Sequence, residues 1–207
     1  MRRAAAAVLI ACAAACAPEK IREFELGLLG PAGPGVAAAA RAAGMAVREA
    51  APEGAAVEAA GEARMANGSR LRLLTARAAV SGKAGIFFVL PKAHDGREVS
   101  DYPEEWQALV RVARETAALR PILERGVEAA APFPAPAGVS VRAWRHQGRL
   151  YVLLVNESAR PAPIDPDALR PWRALFEVRS DARDLLVACG AGQCLSGERA
   201  LWLEGRL

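Results

Sequence analysis

The chain has 207 residues, a formal charge of +4 and a hydrophobic fraction of 53%, much of it alanine. Alanine favours helices but buries little surface, so this composition predicts one domain or two small ones. No cluster of basic residues appears in the body of the chain. Nucleic-acid surfaces cluster lysine and arginine, so nucleic acid is not a predicted partner.

The N-terminal segment MRRAAAAVLIACAAAC combines basic residues, a short apolar run and small residues before a cysteine. This is the pattern of a secretory signal, and the apolar run is shorter than the ~20 residues that cross a bilayer. We therefore predict that residues 1–16 direct export to a bacterial cell envelope, in the periplasm or at the outer membrane. We also predict that Cys16 carries a lipid that anchors the protein to the membrane. Two alternatives are lipid attachment at Cys12 and a plain signal that is cleaved nearby.

Residues 22–126 alternate strand and helix signals, which predicts an α/β domain. Strands are predicted at residues 22–30, 45–51 and 85–90, and helices at residues 36–44, 70–82 and 103–121. Gly44 and Gly82 are expected to end the first two helices, and Ser69 to cap the second. The apolar run GIFFVL (85–90) is typical of a strand buried on both faces of a parallel sheet. Residues 52–68 have no firm period and are compatible with a short helix and a loop.

A change in composition separates this domain from the C-terminal part. Residues 127–137 form a predicted Pro/Ala linker, and residues 138–207 have the period of two that predicts a small antiparallel β-sandwich. Within it, VSVRAWR (139–145) and RLYVLLVN (149–156) are predicted to form a hairpin that turns at Gly148. Cys189 and Cys194 can form a disulfide in an exported chain. No second pair of ligands accompanies these cysteines, so neither a metal nor a cofactor is predicted.

Three stretches of the chain have the order of motifs found in a known family. RLRLLTARAAVSGKAGIFFVLPKAHDGREVSDYPEEWQALVRVARETAALRPILERG (70–126) resembles the closing βα units of glycoside hydrolase-like (β/α)8 barrels. FELGLLGPAGPGVAAAARAAGMAV (24–47) resembles the first strand and helix of such barrels. VRAWRHQGRLYVLLVN (141–156) resembles the opening of the β-sandwich that follows them.

The length of the chain limits what the resemblance implies about the fold. A complete barrel takes about 250 residues, whereas residues 17–126 leave room for three or four βα units of about 30 residues each. The fold expected from the resemblance is therefore α/β: a reduced, incomplete (β/α) barrel-like sheet, followed by a small antiparallel β-sandwich. The middle strands of the barrel are missing. In related glycosidases the two catalytic carboxylates usually come from the middle and late strands, and hydrolysis needs both.

Four polar residues follow the predicted strand 85–90, at the edge where barrel enzymes hold their catalytic groups. We assign Asp95 and Glu98 as candidate catalytic carboxyl groups, and His94 and Tyr102 as candidate sugar-binding residues. The alternative is that this segment is a solvated loop.

Several aromatic residues could bind sugars, but their positions favour the core. Trp106 belongs to the apolar stripe of a predicted helix, and Trp144, Tyr151 and Trp202 lie on strands whose core needs such residues. Exposure of Trp144 and Trp202 would favour a sugar-binding platform instead.

The function predicted from the sequence is that of an exported glycoside hydrolase-like protein. It acts on or binds carbohydrate, with weak or no hydrolase activity. One alternative is a cell-envelope lipoprotein that binds carbohydrate or protein without catalysis. Another is an internally deleted gene product whose sheet edges are left uncovered.

Overall fold

The computed structural model describes residues 23–59, 68–89, 103–176, 187–189 and 192–206. In chain order the elements are β1 (Glu25–Leu29), α1 (Pro34–Ala42), β2 (Ala46–Arg48), β3 (Ala56–Ala59), α2 (Gly68–Val80), β4 (Gly85–Val89), α3 (Pro103–Arg125), β5 (Val127–Ala129), β6 (Val139–His146), β7 (Arg149–Asn156), β8 (Ala162–Pro163), β9 (Arg173–Ala174), β10 (Val187–Cys189), β11 (Gly192–Leu195) and β12 (Arg199–Arg206). The protein is a mixed α/β chain in which parallel strands and helices come first and antiparallel strands follow.

The N-terminal half is built on a four-stranded parallel sheet with the strand order β2-β1-β4-β3. The step from β1 to β2 and the step from β3 to β4 run in the same direction across this sheet. Right-handed crossovers that step in one direction place their helices on one face. The buried residues agree with this rule, because all three helices contribute to one core cluster with alternate residues of the sheet. The strand residues in that cluster are Leu26, Leu28, Ile86 and Phe88.

The opposite face of the parallel sheet is called the far face below. One row of it consists of Ala46, Gly27, Phe87 and Val57. Phe87 is fully buried although it belongs to neither buried cluster, whereas half of Val57 is exposed. The absence of a side chain at Gly27 makes room for the Phe87 ring, because a Cβ at Gly27 would overlap that ring.

The connection between β2 and β3 spans the parallel sheet. Residues 49–55 join strands at opposite edges of the sheet, three strand spacings or about 14 Å apart. They also run from the carboxyl end of β2 back to the amino end of β3, where Ala84 donates a hydrogen bond to the Gly54 carbonyl oxygen at 3.1 Å. Because the helices occupy the other face, we infer that residues 49–55 cross the far face.

The ends of the first two helices match the sequence prediction. Gly44 and Gly82 have positive φ angles of 84° and 68°. At each end two backbone hydrogen bonds close the last turn. In α1 the Met45 amide donates to the Ala40 carbonyl oxygen, and in α2 the Lys83 amide donates to that of Ala78. The second bond at each end is donated by the glycine to the carbonyl oxygen three residues before it. This is the Schellman arrangement, in which glycine adopts the left-handed conformation without steric cost.

Three local predictions for the α/β half are corrected by the structure. Residues 52–68 contain the strand β3, which is held by parallel pairing with β4; the sequence missed it because Ala56–Ala59 is too short to show a period. Helix α2 begins at Gly68, so Ser69 lies in its first turn and is not the N-cap. Helix α3 continues through Pro121 to Arg125, because the buried side chains of Leu119 and Ile122 keep this turn packed against the core.

The C-terminal half contains a five-stranded sheet with the order β5-β6-β7-β12-β9. Its first strand, β5, lies within the predicted linker 127–137 and pairs with β6. The predicted β6–β7 hairpin is present, and Gln147 and Gly148 both have positive φ angles, as in a type I′ turn.

Both faces of the five-stranded sheet are covered. Trp144, Leu153 and Val155 pack into the cluster that contains the helices. The alternate residues Ala143, Val152 and Leu154 belong to a second cluster. The second cluster also includes residues of a three-stranded sheet of order β10-β11-β8, namely Ala162 and Leu195. Helices α2 and α3 therefore lie between the parallel sheet and the five-stranded sheet.

Among the described residues, no helix combines the length and the hydropathy that a membrane crossing needs.

We expect Gly27→Ala to destabilise the protein by about 1–3 kcal/mol, because the new methyl group would overlap Phe87 and approach the Ala46 carbonyl oxygen to 2.9 Å. Urea unfolding would measure the change. Gly35→Ala is the matched control, since a Cβ at Gly35 meets no atom within 4 Å, and it should be neutral or slightly stabilising in a helix. Equal stability of the two variants would show that Phe87 does not fill the space above Gly27.

Candidate functional site

The carboxyl ends of the parallel strands form the edge where this type of sheet usually binds ligands. Arg48 is the last residue of β2 and lies on the far face, beside Leu29 of β1. Its guanidinium turns back along the sheet and donates two hydrogen bonds to the Glu25 carboxylate, at 2.8 and 3.1 Å. These bonds, together with the attraction between the two charges, raise the pKa of Arg48 above its ordinary value. The pair links the end of β2 to the beginning of β1.

Two acidic residues belong to the four described parallel strands, and they lie on opposite faces. Glu25 is on the far face, and both of its oxygens accept hydrogen bonds from Arg48. Glu58 of β3 is in register with Phe88 on the helix face, where it pairs with Arg77 of α2. Glycoside hydrolysis needs two carboxyl groups about 5–10 Å apart on either side of one bond. Carboxylates on opposite faces of a sheet cannot act on one bond together.

The four sequence-predicted sugar-site residues lie outside the described part of the chain. His94, Asp95, Glu98 and Tyr102 belong to residues 90–102, which connect β4 to α3. Their assignments stay predictions, as does lipid attachment at Cys16, which also lies outside the described residues. Among the residues that the structure describes, no group of three or more His, Cys, Asp or Glu side chains could hold a metal ion.

The predicted disulfide between Cys189 and Cys194 is present. The two cysteines lie on the adjacent antiparallel strands β10 and β11, and their Cα atoms are 5.9 Å apart. This separation is ordinary for a disulfide. The bridge closes the hairpin formed by β10 and β11.

Trp144, Tyr151 and Trp202 pack into or against the buried core, as predicted. Trp144 is 4% exposed, and Trp202 stacks on it with a ring-centroid distance of 5.4 Å. Tyr151 and Trp106 pack against the same buried cluster. The burial of Trp144 removes the feature that would have favoured a sugar-binding platform on this sheet.

Two arginines make bidentate ion pairs near the interface between the helices and the five-stranded sheet. Arg72 of α2 makes a bidentate ion pair with Glu115 of α3, at 2.7 and 2.5 Å. Arg142 of β6 makes a bidentate pair with Glu128 of β5 and also donates a hydrogen bond to the Ala79 carbonyl oxygen at the end of α2, at 3.1 Å. Arg142 thereby joins the C-terminal half to the last turn of α2.

Two small cavities lie along this interface, and each is next to one of the two arginines. The cavity beside Arg72 has a volume of about 40 Å³, and the one beside Arg142 about 50 Å³. Both are mainly lined by core residues, and Phe24, Ala79 and Leu123 contribute to both. Small-molecule sites usually measure about 300–1,000 Å³, so these cavities hold water at most.

Sequence reasoning missed the ion pairs Glu25–Arg48 and Glu128–Arg142. The first pair joins residues 23 positions apart, and it forms because β1 and β2 are parallel neighbours. The predicted strands 22–30 and 45–51 contain both residues, so strand periodicity could have placed them on one face. The second pair depends on β5, which the sequence pattern assigned to a linker.

The solved structures that are similar to this chain match it over less than half of their own length. No protein-family model matches the chain, and no curated protein matches it. Similar solved structures include Amy13B of Eubacterium rectale (15% identity, 74% of this chain, 39% of that chain, TM-score 0.44) and a GH30 endoxylanase of Clostridium papyrosolvens (11%, 81%, 43%, 0.39). An α-amylase of Geobacillus thermoleovorans is also similar (19%, 68%, 34%, 0.39). This chain spans less than half the length of each.

We expect the Glu128–Arg142 pair to stabilise the protein at neutral pH and to lose its effect in acid. The hydrogen bonds from Arg142 lower the pKa of Glu128, so the stabilisation is present above the unfolded-state pKa of about 4.3 and disappears as pH falls through the lower folded-state value. Because Glu128 is largely exposed, Glu128→Gln should cost no more than about 1 kcal/mol at pH 7. Urea unfolding at neutral pH and near pH 3 would measure both values.

Asp167→Asn is the control for this prediction, because Asp167 pairs with Arg170 and both side chains are largely exposed, whereas Arg142 is mostly buried. We expect this variant to unfold like the wild type at both pH values. A deficit of Glu128→Gln that persisted in acid would show that the charge of Glu128 is not its source.

Proposed function

We propose that this chain is an exported carbohydrate-binding protein, built on a shortened glycoside hydrolase barrel and an antiparallel sandwich, with weak or no hydrolase activity. The observation that carries the proposal is the parallel pairing of β1 with β4 over five residues, from Glu25–Gly85 to Leu29–Val89. In this sheet the first parallel strand pairs with the last one, and each of the two also pairs with its neighbour in sequence. A closed barrel requires the same pairing between its first and last strands.

The arrangement of the helices supports a barrel origin over a doubly wound sheet. In a doubly wound sheet the strand order reverses direction at a switch point, and helices cover both faces. Here both crossovers step in one direction, and α1, α2 and α3 contribute to a single core cluster. In the proposal, the sheet β2-β1-β4-β3 corresponds to the first two and last two strands of a barrel whose middle has been removed.

The sandwich is supported by the burial on the C-terminal sheets. Leu154 and Leu201 of the five-stranded sheet share a buried cluster with Leu195 of the three-stranded sheet. Two antiparallel sheets that share one core are the basic unit of a β-sandwich. In the proposal this module follows the shortened barrel, as the sequence resemblance implies.

Binding without efficient hydrolysis is supported by the acidic residues of the sheet. Glu25 and Glu58 are each engaged by an arginine and lie on opposite faces. The remaining candidates, Asp95 and Glu98, follow β4 in sequence and would reach its carboxyl edge. We propose that they bind sugar hydroxyl groups together with His94 and Tyr102.

We expect the full chain to bind immobilised polysaccharides such as starch or xylan. For this experiment Cys12→Ser and Cys16→Ser remove both candidate lipid sites. Asp95→Asn should weaken binding by about 10- to 100-fold, since a hydrogen bond to a charged group contributes about 1.5–3 kcal/mol. Affinity electrophoresis or calorimetry would measure the change.

Asp167→Asn removes an equal charge at an exposed position of the C-terminal half and should leave polysaccharide binding unchanged. No binding to any polysaccharide of a broad panel would contradict the proposed function. Rapid glycoside turnover that Asp95→Asn abolishes would instead overturn the proposal of weak or no hydrolysis.

We also propose that the protein is held at the cell envelope by a lipid on Cys16, on the strength of its N-terminal signal pattern. Expression in a bacterial host with labelled palmitate should label the wild-type chain and the Cys12→Ser variant but not Cys16→Ser. Labelling that is lost with Cys12→Ser would place the lipid on Cys12. An unlabelled wild-type chain would contradict the lipid anchor.

A further inference from the structure

The exposed sides of α1 and α3 carry four arginines whose side chains make no hydrogen bond or ion pair with described residues. They are Arg41, Arg111, Arg114 and Arg125. The two helices approach each other near the end of α1, where a Cβ at Gly44 would be 3.7 Å from the Cβ of Ala117. We call the surface formed by these four arginines the arginine face.

Negative charge is scarce on the arginine face. Helix α1 contains no acidic residue. In α3, Glu115 is bound by Arg72 at the helix interface, and Glu124 is half-buried beside Arg120. Glu104, in the first turn of α3, has an exposed side chain.

The rest of this surface is made of small side chains. The exposed residues between the arginines are largely alanines, namely Ala38, Ala39, Ala42, Ala117 and Ala118. Arg111 and Arg114 are three residues apart and are therefore neighbours on the helix surface. Because alanine side chains are short, the arginines are the longest side chains among these exposed residues of α1 and α3.

The position of the N-terminus indicates what kind of partner the arginine face meets. The Phe24 amide donates a hydrogen bond to Glu124 Oε1 at 3.3 Å, so the chain enters the described fold beside the last turn of α3 and near Arg125. Six residues lie between Cys16 and Glu23, so the extended chain places their Cα atoms about 24 Å apart at most. A lipid on Cys16 would hold this end of α3 close to the bilayer.

We propose that the arginine face docks on the anionic surface of a phospholipid bilayer. The membrane as partner rests on the lipid anchor proposed above, whereas carbohydrate binding plays no part in it. Each arginine near an anionic membrane surface contributes about 1 kcal/mol, or roughly a five-fold gain in affinity, and the attraction acts within a Debye length. Docking in this way fixes the orientation of the tethered protein relative to the membrane.

The test uses the full chain with Cys12→Ser and Cys16→Ser, so that any membrane binding comes from the folded surface. Co-sedimentation with vesicles that mix phosphatidylglycerol and phosphatidylcholine should show binding that falls as NaCl is raised from about 0.05 to about 0.5 M. Vesicles of phosphatidylcholine alone should bind much less. Arg111→Gln with Arg114→Gln should weaken binding to the anionic vesicles by roughly 25-fold.

The matched control is Arg160→Gln with Arg173→Gln, which removes the same charge from exposed positions of the C-terminal half. We expect this control to bind anionic vesicles within about two-fold of the parent, since its arginines are outside the proposed surface. Circular dichroism would show that both double variants are folded. If Arg111→Gln with Arg114→Gln does not fold, Arg41→Gln with Arg125→Gln replaces it, with the same expected loss.

The proposal is overturned if anionic vesicles bind no better than neutral ones, or if the control loses as much affinity as the variant of α3. The second result would mean that net charge alone drives the attraction. A chain that binds polysaccharide but ignores anionic vesicles would refute the docking surface and leave the proposed function standing. A chain that binds vesicles but no polysaccharide would contradict the proposed function and leave the docking surface standing.

Discussion

The parallel pairing of β1 with β4 is the constraint on which the rest of the structure depends. It places residues 25–29 beside residues 85–89, although β2, β3 and α2 lie between them in the chain. Gly85 makes this possible, because a Cβ there would collide with the backbone of Glu25. Gly27 in turn leaves space for the Phe87 ring. Since β2 and β3 pair with the outer sides of these two strands, the whole parallel sheet is built outward from this contact.

Helices α2 and α3 pack against two sheets, one on each side. Residues of α2 and α3 pack against Leu28 and Phe88 on one side and against Trp144 and Leu153 on the other, within one buried cluster. A small parallel sheet would otherwise have one covered face and a limited core. The five-stranded sheet compensates by covering the outer side of the helices, and Arg142 ties it to the end of α2. The two halves of the chain are thus parts of a continuous core.

Much of the local structure could be predicted because its signals act over a few residues. Gly44 and Gly82 end their helices through the left-handed conformation that glycine adopts without cost, and Gly148 turns the β6–β7 hairpin for the same reason. The stripe that contains Trp106 and the alternation around Trp144 placed both residues in the core. At the candidate site, the sequence assigned His94 and Asp95 to the segment after a buried strand, but it gave no sign of the Glu25–Arg48 pair.

The sequence by itself determined the glycine ends of α1 and α2, the main hairpin, the disulfide cysteines and the order of an α/β half followed by a β half, because periodicity and turn residues are local properties. Only the tertiary structure decided that Ala56–Ala59 is a strand, that Pro121 lies inside a helix and that β5 pairs with β6. It also decided that the helices cover one face of the parallel sheet and that Glu25 and Glu58 lie on opposite faces. These features depend on contacts between residues far apart in the chain, and no short stretch of sequence carries the energy of such contacts.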